Sequence, residues 1–272
     1  MLGKWATIAI GAVFGIWLLL FAAVWALQDR LLFNPDSAPL MPPPEGVRKL
    51  DLVTSDGESI FAFYAPAVRS ECPTILFLHN NQGRIDTEIS RLDDVSSLGL
   101  GLMLVEWRGY AGASGKPSED GFHKDARAAW DWLTTQADLS SEQIIVHGHS
   151  IGTGPATKLS RDVEPGAVIL EAPYYSMLDL ISRAMPILPA GIILKHKFRT
   201  DQWIVDVEAP ILIAHGALDE TIAPSQSERL VPLAKGPVQR WIAEDADHFD
   251  LTTHGLYEDA IATFLEDNGL DC

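Results

Sequence analysis

The chain has 272 residues, 47% hydrophobic and 21% charged, which suits a sizeable folded core and excludes a disordered polyelectrolyte. Its formal net charge of −17 repels polyphosphate, so no nucleic-acid partner is expected. The two cysteines, Cys72 and Cys272, fall in no CxxC or Cys/His zinc spacing, and spacing alone does not decide whether they pair.

In chain order, the first feature is an uncharged run of 23 residues, 5–27, reading WATIAIGAVFGIWLLLFAAVWAL. As a helix it would span about 34 Å, against roughly 30 Å of bilayer hydrocarbon. Trp5 and Trp25 lie near its ends, where indoles favour the interface. The run reads as a retained N-terminal membrane anchor, residues 1–28; the alternatives are a secretory signal cleaved after Ala26 and a buried helix of a soluble protein. Lys4 before the run and Arg30 after it leave the orientation nearly balanced, so the side of the membrane on which the domain lies stays open. Residues 29–46 hold Pro35, Pro39, Pro42, Pro43 and Pro44 and read as an extended spacer. The folded domain is expected over 47–272.

From Val47 onward, short apolar runs alternate with helical patterns. VRKLDLVT and SIFAFYA, joined by SDGE, predict a hairpin. TILFLH, GLMLVEW, QIIVHG, AVILEA and PILIAHG are apolar throughout, as strands covered on both faces of a parallel sheet should be; VQRWIAE is strand-like. Residues 120–136 place Phe122, Ala126, Ala129, Trp130 and Leu133 at helical spacing, and 255–268 do the same with Leu256, Ala260, Phe264 and Leu265. Strand–helix alternation predicts a doubly wound α/β domain of about eight strands, its site at the carboxyl ends of the strands.

The chemistry centres on HGHSIGTG, residues 147–154. Gly148 and Gly152 around Ser150 permit the sharp strand-to-helix turn that lifts a nucleophilic hydroxyl above a sheet. With 21 glycines in the chain the bare pattern is weak, and a serine also serves simply as a helix N-cap. A serine hydroxyl needs a base, and the base an orienting acid, and in this type of site they follow in the order Ser, Asp or Glu, His. Asp219 lies just past PILIAHG and His248 just past VQRWIAE, each on a loop at the same edge of the predicted sheet as Ser150. Of the other histidines, His79, His147 and His215 end or flank strands and are expected packed or hydrogen-bonded at the site without doing chemistry, and His149 would point elsewhere on the turn. His123 and His254 are expected at the surface or at helix caps. One oxyanion donor would be the backbone N–H of Ile151, and the other should come from the loop HNNQGR.

Residues 174–204 are too long for a simple connection, and Pro186 and Pro189 should break them into short helices. Between 180 and 200 the segment carries Arg183, Lys195, Lys197 and Arg199 and no acidic residue. That island reads as a solvated face or as a contact for anionic headgroups. Its apolar residues suit an acyl-chain pocket or plain packing.

LFLHNNQGR, EWRGYAGASGKPSEDGFHKDARAAWDWL, HGHSIGTGPA, LEAPYYSMLDL, APILIAHGALDETI and DADHFDL together resemble the membrane-anchored α/β-hydrolase-domain proteins. That branch groups with serine-aminopeptidase-like and lipase-like profiles and includes depalmitoylating thioesterases. The resemblance runs over about 28–264. It implies Ser150 as nucleophile, Asp219 as acid, His248 as base, and the backbone amides of Asn81 and Ile151 as the oxyanion hole. It makes the loop 108–115 a structural border of the site and the segment 174–204 a short helical cap over the pocket. One departure is Asn80, where the branch carries glycine; asparagine tolerates a left-handed backbone.

The expected function is a serine hydrolase acting on a carboxylic ester or thioester of a small acyl or lipid-like substrate, with no metal or organic cofactor. The rivals are an aminopeptidase using the same triad, a non-catalytic scaffold tethered to a membrane, and a haloalkane or epoxide enzyme, which Ser150 disfavours because aspartate usually stands there.

Overall fold

A computed structural model describes residues 2–272. Eight strands form one sheet in the order β1-β2-β4-β3-β5-β6-β7-β8. They are β1 (Arg48–Val53), β2 (Ser59–Ala65), β3 (Thr74–Leu78), β4 (Gly101–Val105), β5 (Ile144–His149), β6 (Ala167–Glu171), β7 (Ile211–Gly216) and β8 (Val238–Ala243). The β1–β2 hairpin is antiparallel and joins β4 antiparallel; every later pairing is parallel. The predicted mostly parallel sheet is therefore present, with each run near its expected place.

The sheet's two faces follow from the two-residue period of a strand. Leu76, Leu78, Met103, Val105, Val146, Val168, Leu170, Ile211 and Ile213 face one helical layer. Ile75, Phe77, Leu102, Leu104, Ile145, Ile169, Leu212 and Ala214 face the other. Because β3 to β7 bury both sets, their sequences are apolar over most of their length, with His147, His149, Glu171 and His215 standing only toward the carboxyl ends.

Besides the N-terminal helix α1 (Leu2–Phe33), the principal helices are α2 (Arg91–Ser97), α3 (Glu119–Thr135), α4 (Thr153–Val163), α5 (Met177–Ala184) and α6 (Ala190–Ile193). Ser118 caps α3 by accepting from the Gly121 N–H at 3.0 Å, and the helix buries the five apolar residues its spacing marked. Fully burying a Leu- or Phe-sized side chain contributes about 1.5–3 kcal/mol, so this face fixes α3 against the sheet. The C-terminal segment is less regular than its pattern suggested. Behind a left-handed Gly255 it runs in π geometry over Leu256–Ile261 before becoming α-helical over Ala262–Asp267.

α1 is apolar enough to cross a membrane over Ile8–Phe33, with mean hydropathy 2.4, and its spanning window is not buried in the fold. It does not stop at the last apolar residue of the run but continues through Gln28, Asp29 and Arg30 to a buried Phe33. The following proline-rich stretch is docked rather than free. Arg84 reaches Asp36 Oδ2 at 3.0 Å and the Pro39 carbonyl at 2.9 Å, and the Met41 N–H donates to Asp86 Oδ2 at 2.8 Å. Cys72 and Cys272 form a disulfide with a Cα–Cα distance of 5.7 Å across 200 positions.

Candidate active site

β5 ends at His149, and Ser150 takes a left-handed backbone with φ of 53° before a single 3₁₀ turn feeds α4. A non-glycine residue there is strained, and such strain persists only where the surroundings over-determine it. The flanking glycines make room. A Cβ on Gly148 would meet the Gly152 carbonyl oxygen at 2.5 Å, and one on Gly152 would collide with the Leu78 carbonyl. Gly152 thus lets the turn lie directly on the end of β3.

Three loops at the carboxyl edge bring Ser150, His248 and Asp219 together, all buried. Ser150 Oγ lies 2.8 Å from His248 Nε2, and His248 Nδ1 lies 2.6 Å from Asp219 Oδ2. The network assigns the tautomer: Nδ1–H donates to the carboxylate, leaving Nε2 to accept from the hydroxyl. Asp219 Oδ1 accepts from the backbone N–H groups of Thr221 and Ile222, both at 2.8 Å. Burial pushes the Asp219 carboxyl up, but hydrogen bonds from His215, His248 and Ile222 outweigh it and hold the group well below the usual range. The acid is therefore ionised throughout the working range.

Several further residues shape this site. His215 Nε2 lies 3.1 Å from Asp219 Oδ2 and 2.8 Å from the Ile222 carbonyl oxygen, so it braces the acid loop. His149 does not point idly away from the turn. Its Nε2–H donates to the His248 carbonyl at 3.1 Å, and its Nδ1 accepts from Asn80 Nδ2 at 3.1 Å. Burial, chiefly, lowers its pKa and keeps it neutral, as a ring that donates on one side and accepts on the other must be. The parity of β5 could have found it: His147 and His149 share a sheet face with Ile145, opposite Val146. His147 meets Glu171 Oε2 at 3.0 Å in a buried cluster with Arg91.

The expectation for Asn80 changes. It is not among the left-handed residues. Its side chain does the work instead: Oδ1 accepts from Gln82 N–H at 2.8 Å and Gly83 N–H at 2.7 Å, closing a tight turn, while Nδ2 reaches His149. The loop that carries Asn81 is clamped at its base. Glu106 Oε1 lies 2.9 Å from His79 Nε2, and Oε2 accepts from the Ile85 N–H at 3.2 Å. Burial disfavours the charged His79 ring, yet the facing Glu106 carboxylate prevails and raises its pKa. Asn81 itself is held through its side chain, which donates to the Leu32 carbonyl of α1 at 2.9 Å, and through its carbonyl, which accepts from Tyr110 at 3.2 Å.

Of the remaining expectations, His254 is exposed in part and lies 2.9 Å from the Asp250 carbonyl oxygen. His123 is not a surface residue: its ring packs edge-on against Trp203 at 5.0 Å, and burial lowers its pKa to about 4. Arg108 in the loop 108–115 spans Asp125 and Asp56 at about 3 Å, a structural clamp. Among the described residues no cluster of His, Cys, Asp or Glu could hold a metal ion.

No family profile matches the chain. An uncharacterized protein of Mycobacterium tuberculosis is 30% identical over 254 residues, covering 91% of this chain and 90% of that protein. Alpha/beta hydrolase domain-containing protein 17B of Homo sapiens is 30% identical over 213 residues, 78% of this chain and 73% of that protein. Among solved structures, an alpha-beta hydrolase from Vibrio vulnificus superposes with a TM-score of 0.72 at 21% identity, covering 88% of this chain and 92% of its own. The esterase Pf2001 of Pyrococcus furiosus gives 0.70 at 15% identity, covering 86% and 98%. Sheet order, strand-end loops and these likenesses agree: the chain belongs to the α/β-hydrolase-domain-containing family and is an α/β-hydrolase-fold enzyme.

Proposed function

We propose that the protein is a membrane-anchored serine hydrolase that cleaves a carboxylic ester or thioester of an acyl or lipid-like substrate. The observation that carries this reading is the continuous pair of hydrogen bonds from Ser150 through His248 to Asp219, with Ser150 on a left-handed turn. His248 takes the Ser150 proton as the hydroxyl attacks the carbonyl carbon, then gives that proton to the leaving oxygen or sulfur. Water, deprotonated by the same imidazole, releases the acid from Ser150. Asp219 holds the ring's tautomer and offsets its charge in the transition state. The N–H groups of Asn81 and Ile151 receive the oxyanion. The ester preference is supported by the esterases among the fold neighbours, and the anchor by the exposed apolar span of α1.

The domain division follows the same reading: an anchor in α1, a docked proline-rich connector, and a hydrolase domain from residue 47 with a cap at 174–204. Labelling by a fluorophosphonate probe, with and without Ser150→Ala, tests the nucleophile. Label on the parent and none on the variant is expected; equal labelling of both would remove Ser150 from the chemistry. A series of p-nitrophenyl esters of increasing acyl length, run beside aminoacyl anilides, tests the substrate class. Turnover of the anilides alone would replace the esterase reading with a peptidase.

A further inference from the structure

α1 does not stand apart from the cap; the two run side by side. Trp17 Nε1–H donates to the Ile187 carbonyl at 3.0 Å. Phe21 and Val24 pack with Ile181, Ala190, Ile193 and Leu194. Higher up, Gln28 accepts from the Lys195 N–H at 2.9 Å and donates to the Ile193 carbonyl at 3.1 Å. Lys195 then pairs with Asp29 at 3.0 Å and sits over the Trp25 ring at 4.8 Å.

These contacts set a common depth. Polar and aromatic groups of both elements meet at Trp25 to Asp29, where an interface belongs. Trp17 lies eight residues deeper on α1, which at 1.5 Å per residue is about 12 Å. The cap segment alongside it, residues 184–194, reads AMPILPAGIIL: no charge, with Arg183 and Lys195 immediately outside it. Ile187 and Ile192 at its tip are 68% and 80% exposed. In water that tip is a liability; beside a membrane span it is matched to its solvent.

Between the two elements lies a cavity of about 160 Å³. Val24, Leu31 and Leu32 of α1 form one wall, and Met177, Ile181 and Met185 of the cap form the other. Its one polar lining side chain, Gln28, is already satisfied by backbone groups of both elements. The walls continue to the site. Leu32 gives its carbonyl to Asn81, and Tyr174, just ahead of Met177, donates to the Ile151 carbonyl at 3.2 Å.

We infer that the cap tip 184–194 is immersed in the bilayer beside α1, and that the cleft between them receives one acyl chain of a membrane-resident ester arriving sideways from the hydrocarbon. An apolar rod is the occupant that fits, because the lining offers no free polar group and its outer end faces lipid. The reading rests on the hydrolase assignment only for what happens to the acyl group after it arrives.

Two measurements on the full chain in phosphatidylcholine vesicles test it without requiring turnover. Because both native cysteines are joined, Ile187→Cys carries the one free thiol for an environment-sensitive fluorophore. Blue-shifted emission quenched by mid-chain nitroxide lipid is expected; quenching by aqueous iodide instead would overturn the immersion. Phosphatidylcholine bearing a diazirine in its acyl chain is then photolysed and the cross-linked peptides are mapped. Label on Met185 that is lost in Ile181→Trp, which fills the cleft, supports the acyl site. Label confined to the outer face of α1, or unchanged by the filling variant, refutes it. An inert protein that passes both tests would mean that the hydrolase reading, not the cleft, had failed.

Discussion

His149→Leu substitutes a side chain of similar bulk and tests whether the histidine beside Ser150 positions His248. The substitution deletes two hydrogen bonds, to the His248 carbonyl and from the Asn80 side chain, each 3.1 Å long. A buried polar group left without a partner costs about 1–3 kcal/mol, so two cost about 2–6 kcal/mol if the site stays dry. It does not stay wholly dry. A cavity of about 380 Å³ is lined by Asn80, His149 and Phe249, and water there can replace part of the loss. The lower end, about 2 kcal/mol, is expected, which for a chain of this size lowers Tm by about 4–8 °C. The larger effect should fall on kcat, because the freed loop carries His248 away from the 2.8 Å contact with Ser150. Thermal melts of the full chain in detergent, beside ester kinetics, read both quantities. Full activity with a Tm within 1 °C of the parent would show that His149 merely fills space.

Asp219→Asn should keep the fold but present an amide N–H toward His248, favouring the wrong tautomer; a kcat loss on the order of 10⁴ with little change in KM is expected from ester kinetics. A loss under tenfold would argue against Asp219 as the orienting acid. His123 gives a pH signature. Its native pKa of about 4 lies below the unfolded value of about 6.5, so as pH falls the unfolded chain takes the proton first. Stability from the neutral ring is therefore complete above pH 6.5 and is lost down to about pH 4, by at most about 3 kcal/mol. Urea melts of His123→Leu should show that slope reduced, and an unchanged slope would assign it to other groups. Cys72→Ser opens a covalent loop of 200 residues, for which chain entropy predicts a loss of about 5 kcal/mol as an upper bound. Its urea midpoint should match that of the reduced parent and fall below that of the oxidised one; equal midpoints for all three would mean that the bond is absent.

The sheet was readable from sequence because its central strands are covered on both faces and are therefore apolar over most of their length, with His147, His149, Glu171 and His215 only toward their carboxyl ends, a signal carried locally. Ser150 and Asp219 could be nominated because each follows such a strand, and His248 because it follows the more polar edge strand β8; a strand's end is a local feature too. What escaped depends on partners far along the chain. Polar Gln28 and Asp29 looked like the end of a helix, and the groups that let it continue, at Ile193 and Lys195, lie some 165 residues away. The proline-rich stretch looked free because Arg84 and Asp86, which hold it, belong to another segment. Asn80 was judged by backbone preference, whereas its importance lies in a side chain that joins two loops 69 positions apart in sequence.

The Cys72–Cys272 bond constrains the redox setting in which the folded chain persists. Cytosolic thioredoxin and glutathione keep ordinary thiols reduced, and a crosslink of this kind persists where those systems do not reach. Were α1 the anchor proposed above, that crosslink would place the rest of the chain in an oxidising space, with Lys4 across the bilayer from it.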